Sequence, residues 1–218
     1  MKPQHSPHGA TATLDRRAFL RVAAGAGAGA AAIAVVPAGA VSAISARKPD
    51  AVADAAVKAV AVLEASTPED SAYVELRHTI AVALAHRLDI DAVALEHAIA
   101  NADAEHQLAL MAAFTQLGVR YRRNMSRAGY GFDCSGLTFY AWKNAGVTLQ
   151  RQSRAQINAA SARTLASAQA GDLLYYPGHV MLWLGVGRAM VHSPRPGRRV
   201  EVSTARARRK LRVADPTA

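Results

Sequence analysis

The chain has one side chain that can act as a strong nucleophile near neutral pH, its single cysteine, Cys134. It stands in Phe132-Asp133-Cys134-Ser135-Gly136-Leu137. Asp133 suits the capping position of a helix over Cys134 to Ala145, with Leu137, Tyr140 and Ala141 on one side and Gly146 after its end. The sulfur then lies in the first helical turn, where orphan backbone N–H groups and the helix dipole favour a thiolate. A buried structural cysteine would sit more naturally in mid-helix.

A thiolate needs a proton acceptor, and the leaving amine later needs a donor; imidazole serves both near neutral pH. His179 and His192 are the only histidines in the second half, on either side of the turn Gly185-Val186-Gly187. If that hairpin centres between 185 and 186, His179 faces His192. If it centres one residue later, His192 faces Met181. Either register sends both imidazoles to one face of the sheet, so that one can act as base while the other orients it. Spacing alone leaves a second reading open: two packed histidines beside an unreactive thiol. A metal site is disfavoured, since one Cys and two His leave the fourth ligand unnamed.

These groups need elements to hold them. After the helix at Cys134 come short apolar runs, Asp172–Tyr176, His179–Leu184, Ala189–His192 and Arg199–Val202, separated by Pro177-Gly178, the glycine turn and Pro194-Arg195-Pro196-Gly197. One helix followed by an antiparallel meander is an α+β pattern. Earlier residues read as helices: Val52, Ala56, Val60 and Leu63; then Tyr73, Leu76, Ile80 and Leu84 after a start at Thr67-Pro68-Glu69-Asp70; a short one around Ile90 to Ile99; and a last one with Leu110, Met111, Phe114 and Leu117, ended by Gly118. His78, His86, His97 and His106 there form no tight ligand pair and read as ordinary helix histidines.

Charge divides the same way. The whole chain, 218 residues with 26 Lys+Arg and 16 Asp+Glu, is +10. Residues 44–115 carry 11 acids and 5 bases, a net of −6, and residues 116–218 carry 4 acids and 17 bases, a net of +13. This split suggests electrostatic docking of the helices on the basic half. A single cysteine excludes an internal disulfide framework. The apolar share, 51%, excludes wholesale disorder.

The first residues form an address. Asp15-Arg16-Arg17-Ala18-Phe19-Leu20-Arg21 precedes 25 uncharged residues, Val22 to Ala46, and Pro37-Ala38-Gly39-Ala40 fits an A-x-A cleavage site. This resembles a twin-arginine export signal ending at Ala40, with Ala43 as another cleavage point and a retained anchor as the other reading.

The second half resembles the NlpC-type family of cell-wall cysteine peptidases. Gln116-Leu117-Gly118-Val119-Arg120-Tyr121, the Cys134 motif, Arg151-Gln152-Ser153-Arg154-Ala155-Gln156, Gly171-Asp172-Leu173, His179-Val180 and Val191-His192-Ser193-Pro194 carry the likeness, as an ordered series from about Leu108 to Val202. The resemblance implies a papain-like core, with the nucleophile-bearing helix packed on an antiparallel sheet. It also implies hydrolysis of amide bonds in peptidoglycan stem peptides, commonly between D-glutamate and the diamino acid in third position. By motif position Cys134 matches the nucleophile, His179 the base and His192 the orienting residue. Tyr121, Asp133, Ser135 and Ser153 match substrate-binding positions, Asp133 and Ser135 at the substrate's amino end. The family follows its tyrosine with x-Trp-Gly-Gly, whereas here Arg122-Arg123-Asn124 follows Tyr121; Arg122 or Arg123 could meet substrate carboxylates.

The expected layout is a leader at 1–40, a helical accessory segment at 41–107, a peptidase domain at 108–203 and a basic tail at 204–218. The expected partner is peptidoglycan, with other anionic wall polymers as candidates for the basic tail. No cofactor, metal, nucleic acid or stable membrane span after leader removal is expected, and the location is outside the inner membrane. An N-acetylmuramoyl-L-alanine amidase, a catalytically silent wall-binding module and a thiol acyltransferase or thioesterase are the competing functions.

Overall fold

A computed structural model describes residues 47–207 and 209–217. The leader expected over 1–40, with its cleavage point, lies outside the described residues, as do residues 41–46 of the accessory segment.

Four helices come first: α1 Ala51–Ala65, α2 Ser71–Leu88, α3 Ala92–Ala100 and α4 Ala104–Phe114. Asp50, Asp70 and Asp91 cap the first three by accepting from backbone N–H groups of the opening turn. Three of the eleven acids of this half are therefore helix caps. The start expected at Thr67 is displaced to Asp70, whose carboxylate accepts from Ala72 N at 2.9 Å, while Thr67 and Asp70 close a turn ahead of the helix.

A two-stranded ribbon, β1 Ser126–Arg127 and β2 Gly131–Phe132, leads into α5 Cys134–Asn144, followed by α6 Ser153–Ala159. The strands β3 Ser161–Arg163, β4 Leu173–Tyr176, β5 His179–Trp183, β6 Ala189–His192, β7 Glu201–Thr204 and β8 Arg212–Asp215 form one sheet in the order β3-β8-β4-β5-β6-β7, every pair antiparallel. This is the expected α+β class, a helix packed on an antiparallel sheet.

Two expectations need correction. The tail expected at 204–218 contains β8, which lies between β3 and β4 and buries Val213 and Ala214 at 6% and 1% exposure. The boundary at 107/108 falls inside α4, whose residues from His106 to Phe114 are buried apart from the half-buried Leu108.

One apolar core joins the helices to the sheet. Leu84, Ile99, Leu110 and Phe114 from the helices pack in the same cluster as Leu137 and Trp142 of α5 and Leu173, Val180 and Leu182 of the sheet. The opposite face of the sheet buries Leu174, Met181, Trp183, Met190 and Val213 in a second cluster. A buried polar contact adds to the first: His106 Nε2 of α4 lies 3.1 Å from Asp172 Oδ1, just before β4. The helices are thus attached mainly through apolar contact rather than by the electrostatic docking that the charge split suggested. Among the described residues no helix is long and apolar enough to cross a membrane.

Candidate active site

Asp133 caps α5 as expected, accepting from Gly136 N at 2.7 Å. Its carboxylate has a second partner absent from the sequence reading. Arg151 donates to both oxygens, Nη1 to Oδ1 and Nη2 to Oδ2, each at 2.9 Å, and Nη1 also reaches Ser135 Oγ at 2.9 Å. A bidentate guanidinium fixes a carboxylate in angle as well as position. Gln156, buried on α6, donates to Ser135 O at 2.9 Å and accepts from Thr138 Oγ1 at 2.6 Å. Gly136 lets the β1–β2 ribbon close over this turn: a Cβ there would sit 2.0 Å from Met125 O. Cys134 therefore opens a helix whose first turn is held from three sides.

The histidines arrive on adjacent strands. Leu182 pairs with Val191 and Trp183 with Met190. Extended by one step, this register sets His192 against Met181, the later of the two hairpin centres. Both imidazoles then leave the sheet on one face, and His179 Nε2 lies 2.8 Å from His192 Nδ1. The rings meet nearly edge-on, with centroids 5.1 Å apart. Beyond His192 the network continues through residues outside the sequence reading. Ser203 Oγ is 3.0 Å from His192 Nε2, and Glu201 Oε1 is 3.6 Å from it. Both lie on β7, where His192 pairs with Glu201 and Met190 with Ser203. Glu201 is held below the usual carboxylate range: burial opposes this, but His192 and Arg198 outweigh it.

The backbone N–H of Val180, the residue after His179, favours the ionised form of the Cys134 sulfur, as do those of Ser135 and Cys134 itself. Ser193 Oγ donates to Phe132 O at 2.7 Å, holding the residue after His192 to the strand that precedes Cys134. The electrostatics differ from the thiolate picture. Burial pushes the Cys134 thiol up, and the Asp133 charge adds to this against the three N–H groups. Burial, then His192 and Arg209, pushes His179 down to about 3. Near neutral pH the thiol and the imidazole are both uncharged, because desolvation outweighs the helix dipole at Cys134 and disfavours the imidazolium at His179.

Tyr121 joins the same site. Its hydroxyl is held above its ordinary value by burial and then by the charges of Cys134 and Asp133. Its N–H donates to Arg198 O at 2.9 Å. Ser153 begins α6, half-buried, and makes no side-chain hydrogen bond among the described residues. Of the two arginines after Tyr121, Arg122 is committed elsewhere: its Nε donates to Tyr130 O at 3.1 Å and its guanidinium lies 4.2 Å from the Tyr130 ring. Arg123 is exposed, and its charge reaches Tyr121.

Residues 118–211 match the family model described as NlpC/P60 family. Peptidoglycan endopeptidase RipB of Mycobacterium tuberculosis is 45% identical over 80 residues, covering 35% of this chain and 33% of RipB. Gamma-D-glutamyl-L-lysine dipeptidyl-peptidase of Bacillus cereus is 37% identical over 83 residues, covering 34% of this chain and 25% of the relative. The crystal structure of the P60 domain from M. avium subspecies paratuberculosis antigen MAP1204 aligns with TM-score 0.47 at 27% identity, over 52% of this chain and 96% of that one. The chain thus spans between a quarter and a third of the length of these curated relatives. The Asp133-Cys134-Ser135 turn and both histidines lie inside residues 118–211, the segment that matches the NlpC/P60 family model.

Proposed function

We propose that this chain is an exported cysteine endopeptidase that hydrolyses amide bonds of peptidoglycan stem peptides, between D-glutamate and the diamino acid after it. The observation that carries the reading is the His179–His192 pair, 2.8 Å apart, on the strand whose next residue, Val180, acts through its N–H on the acidity of the Cys134 thiol. RipB, named a peptidoglycan endopeptidase, and the gamma-D-glutamyl-L-lysine dipeptidyl-peptidase support the substrate class. The Arg16-Arg17 leader supports export, and the layout into leader, helical segment and peptidase domain is part of the same proposal.

In this reading Cys134 Sγ attacks the scissile carbonyl carbon as its proton passes to His179 Nδ1, since Nε2 is engaged by His192. The neutral resting pair makes this transfer simultaneous with attack. The oxyanion is received by the Cys134 and Ser135 N–H groups, orphan donors of the first helical turn. The C–N bond then breaks as His179 returns the proton to the leaving amine, leaving a thioester. Water, losing a proton to His179, attacks the thioester and releases the acid and the thiol. His192 holds the His179 ring, and Ser203 with Glu201 holds His192. Tyr121, Asp133, Ser135 and Ser153 bind the acyl half of the substrate, with Arg151 keeping the Asp133 carboxylate in place.

Incubating the protein with purified peptidoglycan and weighing the fragments tests this. A new amino terminus on the diamino acid, absent with Cys134→Ala, is expected. A new terminus on L-alanine would instead make the chain an amidase. Intact peptidoglycan bound without cleavage would make it a wall-binding module.

A further inference from the structure

On the His192 side of the site a cleft of about 440 Å³ opens over the second face of the sheet; Tyr121 and Asp133 are not in its lining. Its floor includes Tyr176, His179, His192 and Ser203, and its rim carries Arg195, Arg198, Arg206 and Arg209. Glu201 is the only acid in the lining, and it is taken by Arg198 at 2.7 and 2.8 Å. Arg195, Arg206 and Arg209 have no carboxylate partner among the described residues, and all three are exposed. Arg209 lies with its guanidinium 4.6 Å from the Tyr176 ring, which in turn is 5.3 Å from the His179 ring.

The gathering of cations is built, not incidental. Arg188 donates from Nε to Ala205 O at 3.0 Å and from Nη2 to Arg206 O at 2.9 Å and Arg209 O at 2.6 Å. A further turn bond runs from Arg209 N to Arg206 O at 3.0 Å. One guanidinium is thus spent on fixing the loop that brings two more to the cleft. Like charges placed together repel, and no protein acid relieves the three unpaired ones. A ligand anion would.

We infer that this cleft is the subsite for the leaving half of the substrate, and that Arg206 and Arg209 bind a free carboxylate of that half. The inference rests on the peptidase reading for the direction of the substrate. Tyr121, Asp133 and Ser135 occupy the Cys134 side, so the leaving amine and the residues attached to it fall on the His192 side. A stem peptide bears free carboxylates beyond the diamino acid's nitrogen, and guanidinium groups pair with carboxylates through charge-assisted hydrogen bonds. The substrate class is therefore a stem peptide with an unmodified carboxylate in its leaving half, in preference to the carboxamide.

Calorimetry on the full chain carrying Cys134→Ala, with two synthetic stem peptides that differ only in carboxylate or carboxamide on the leaving half, tests the cleft without turnover. The acidic peptide is expected to bind about ten-fold more tightly at low salt, a difference of about 1.4 kcal/mol. Adding Arg206→Gln and Arg209→Gln should bring both peptides to the carboxamide's affinity. Equal affinity without those two changes, or a preference that survives them, would overturn the assignment. So would tighter binding of a glycerol-phosphate oligomer than of the acidic peptide, which would give the cleft to another wall polymer. Hydrolysis by the parent chain is scored in parallel. If neither peptide is cut while the carboxylate preference holds, the peptidase reading fails and with it the assignment to a leaving half, and only carboxylate binding by Arg206 and Arg209 stands.

Discussion

At the scale of single residues, the account turns on two buried groups whose ordinary acidities are spread apart. The thiol is pushed above its usual 9.0 and His179 below its usual 6.5. The competent form, neutral thiol with neutral imidazole, is lost only when His179 gains a proton or Cys134 sheds one without it. The profile of kcat/KM against pH should be a broad bell, with its acid limb well below 6.5 and its alkaline limb above 9. A limb centred on 6.5 would show that His179 is not the buried base described here. Cys134→Ala or His179→Ala should each cost on the order of 10⁴-fold in kcat. His192→Ala should cost about 10²-fold, because the base survives but loses its orientation. Ser203→Ala, one step further out, should cost less in kcat than His192→Ala; steady-state kinetics on one stem peptide ranks the series.

At the scale of elements, the reactive turn depends on neighbours packed against it. Gly136→Ala would place a methyl carbon 2.0 Å from Met125 O, a backbone atom with little room to move. A loss of about 1–3 kcal/mol or more is expected by denaturant unfolding, since overpacking a rigid site forces backbone shifts. Arg151→Gln breaks the bidentate pair and leaves the Asp133 carboxylate with only Gly136 N and the Ser135 hydroxyl; lower stability and a raised KM are expected together. These elements also mark what was legible in the sequence. The helix at Cys134, its Asp133 cap and the His179–His192 hairpin follow from local signals: a capping residue, a glycine pair and period-two alternation. Arg151, Gln156, Ser203 and Glu201 carry no such signal. Each meets the site across at least eight residues of intervening chain, and Arg and Glu on short elements read as solvated surface. β8 escaped for a related reason: four residues, one of them Arg212, after a run of bases look like a tail until the sheet that pairs with them is known.

At the scale of the molecule, charge asymmetry suggests two bodies held by electrostatics, but burial joins them in one core. Phe114, Leu110 and Ile99 are fully buried in the cluster that also holds Leu137 and Val180. Deleting residues 47–104 should therefore abolish the cooperative thermal transition rather than release a faster peptidase; an active truncated chain with an unchanged Tm would contradict the shared core. Stability should also follow pH in a definite direction. His179 is depressed to about 3 from 6.5, so its share of stability is complete above 6.5 and is lost as pH falls from there toward 3. Asp215, held below its ordinary 3.8 against burial by Thr217 and Arg163, acts with the same sign at lower pH. Tm should fall with acidification below 6.5, and His179→Gln should flatten the upper part of that fall.

The most direct test of the central claim is the mass of the protein during turnover. Rapid quenching with acid during hydrolysis of a stem peptide should trap the acyl half as a thioester that maps to Cys134, and the Cys134→Ala chain should carry no added mass and release no product. Product formed at an undiminished rate by Cys134→Ala would contradict the account, because the bond would then be cut without the sulfur on which the whole reading is built.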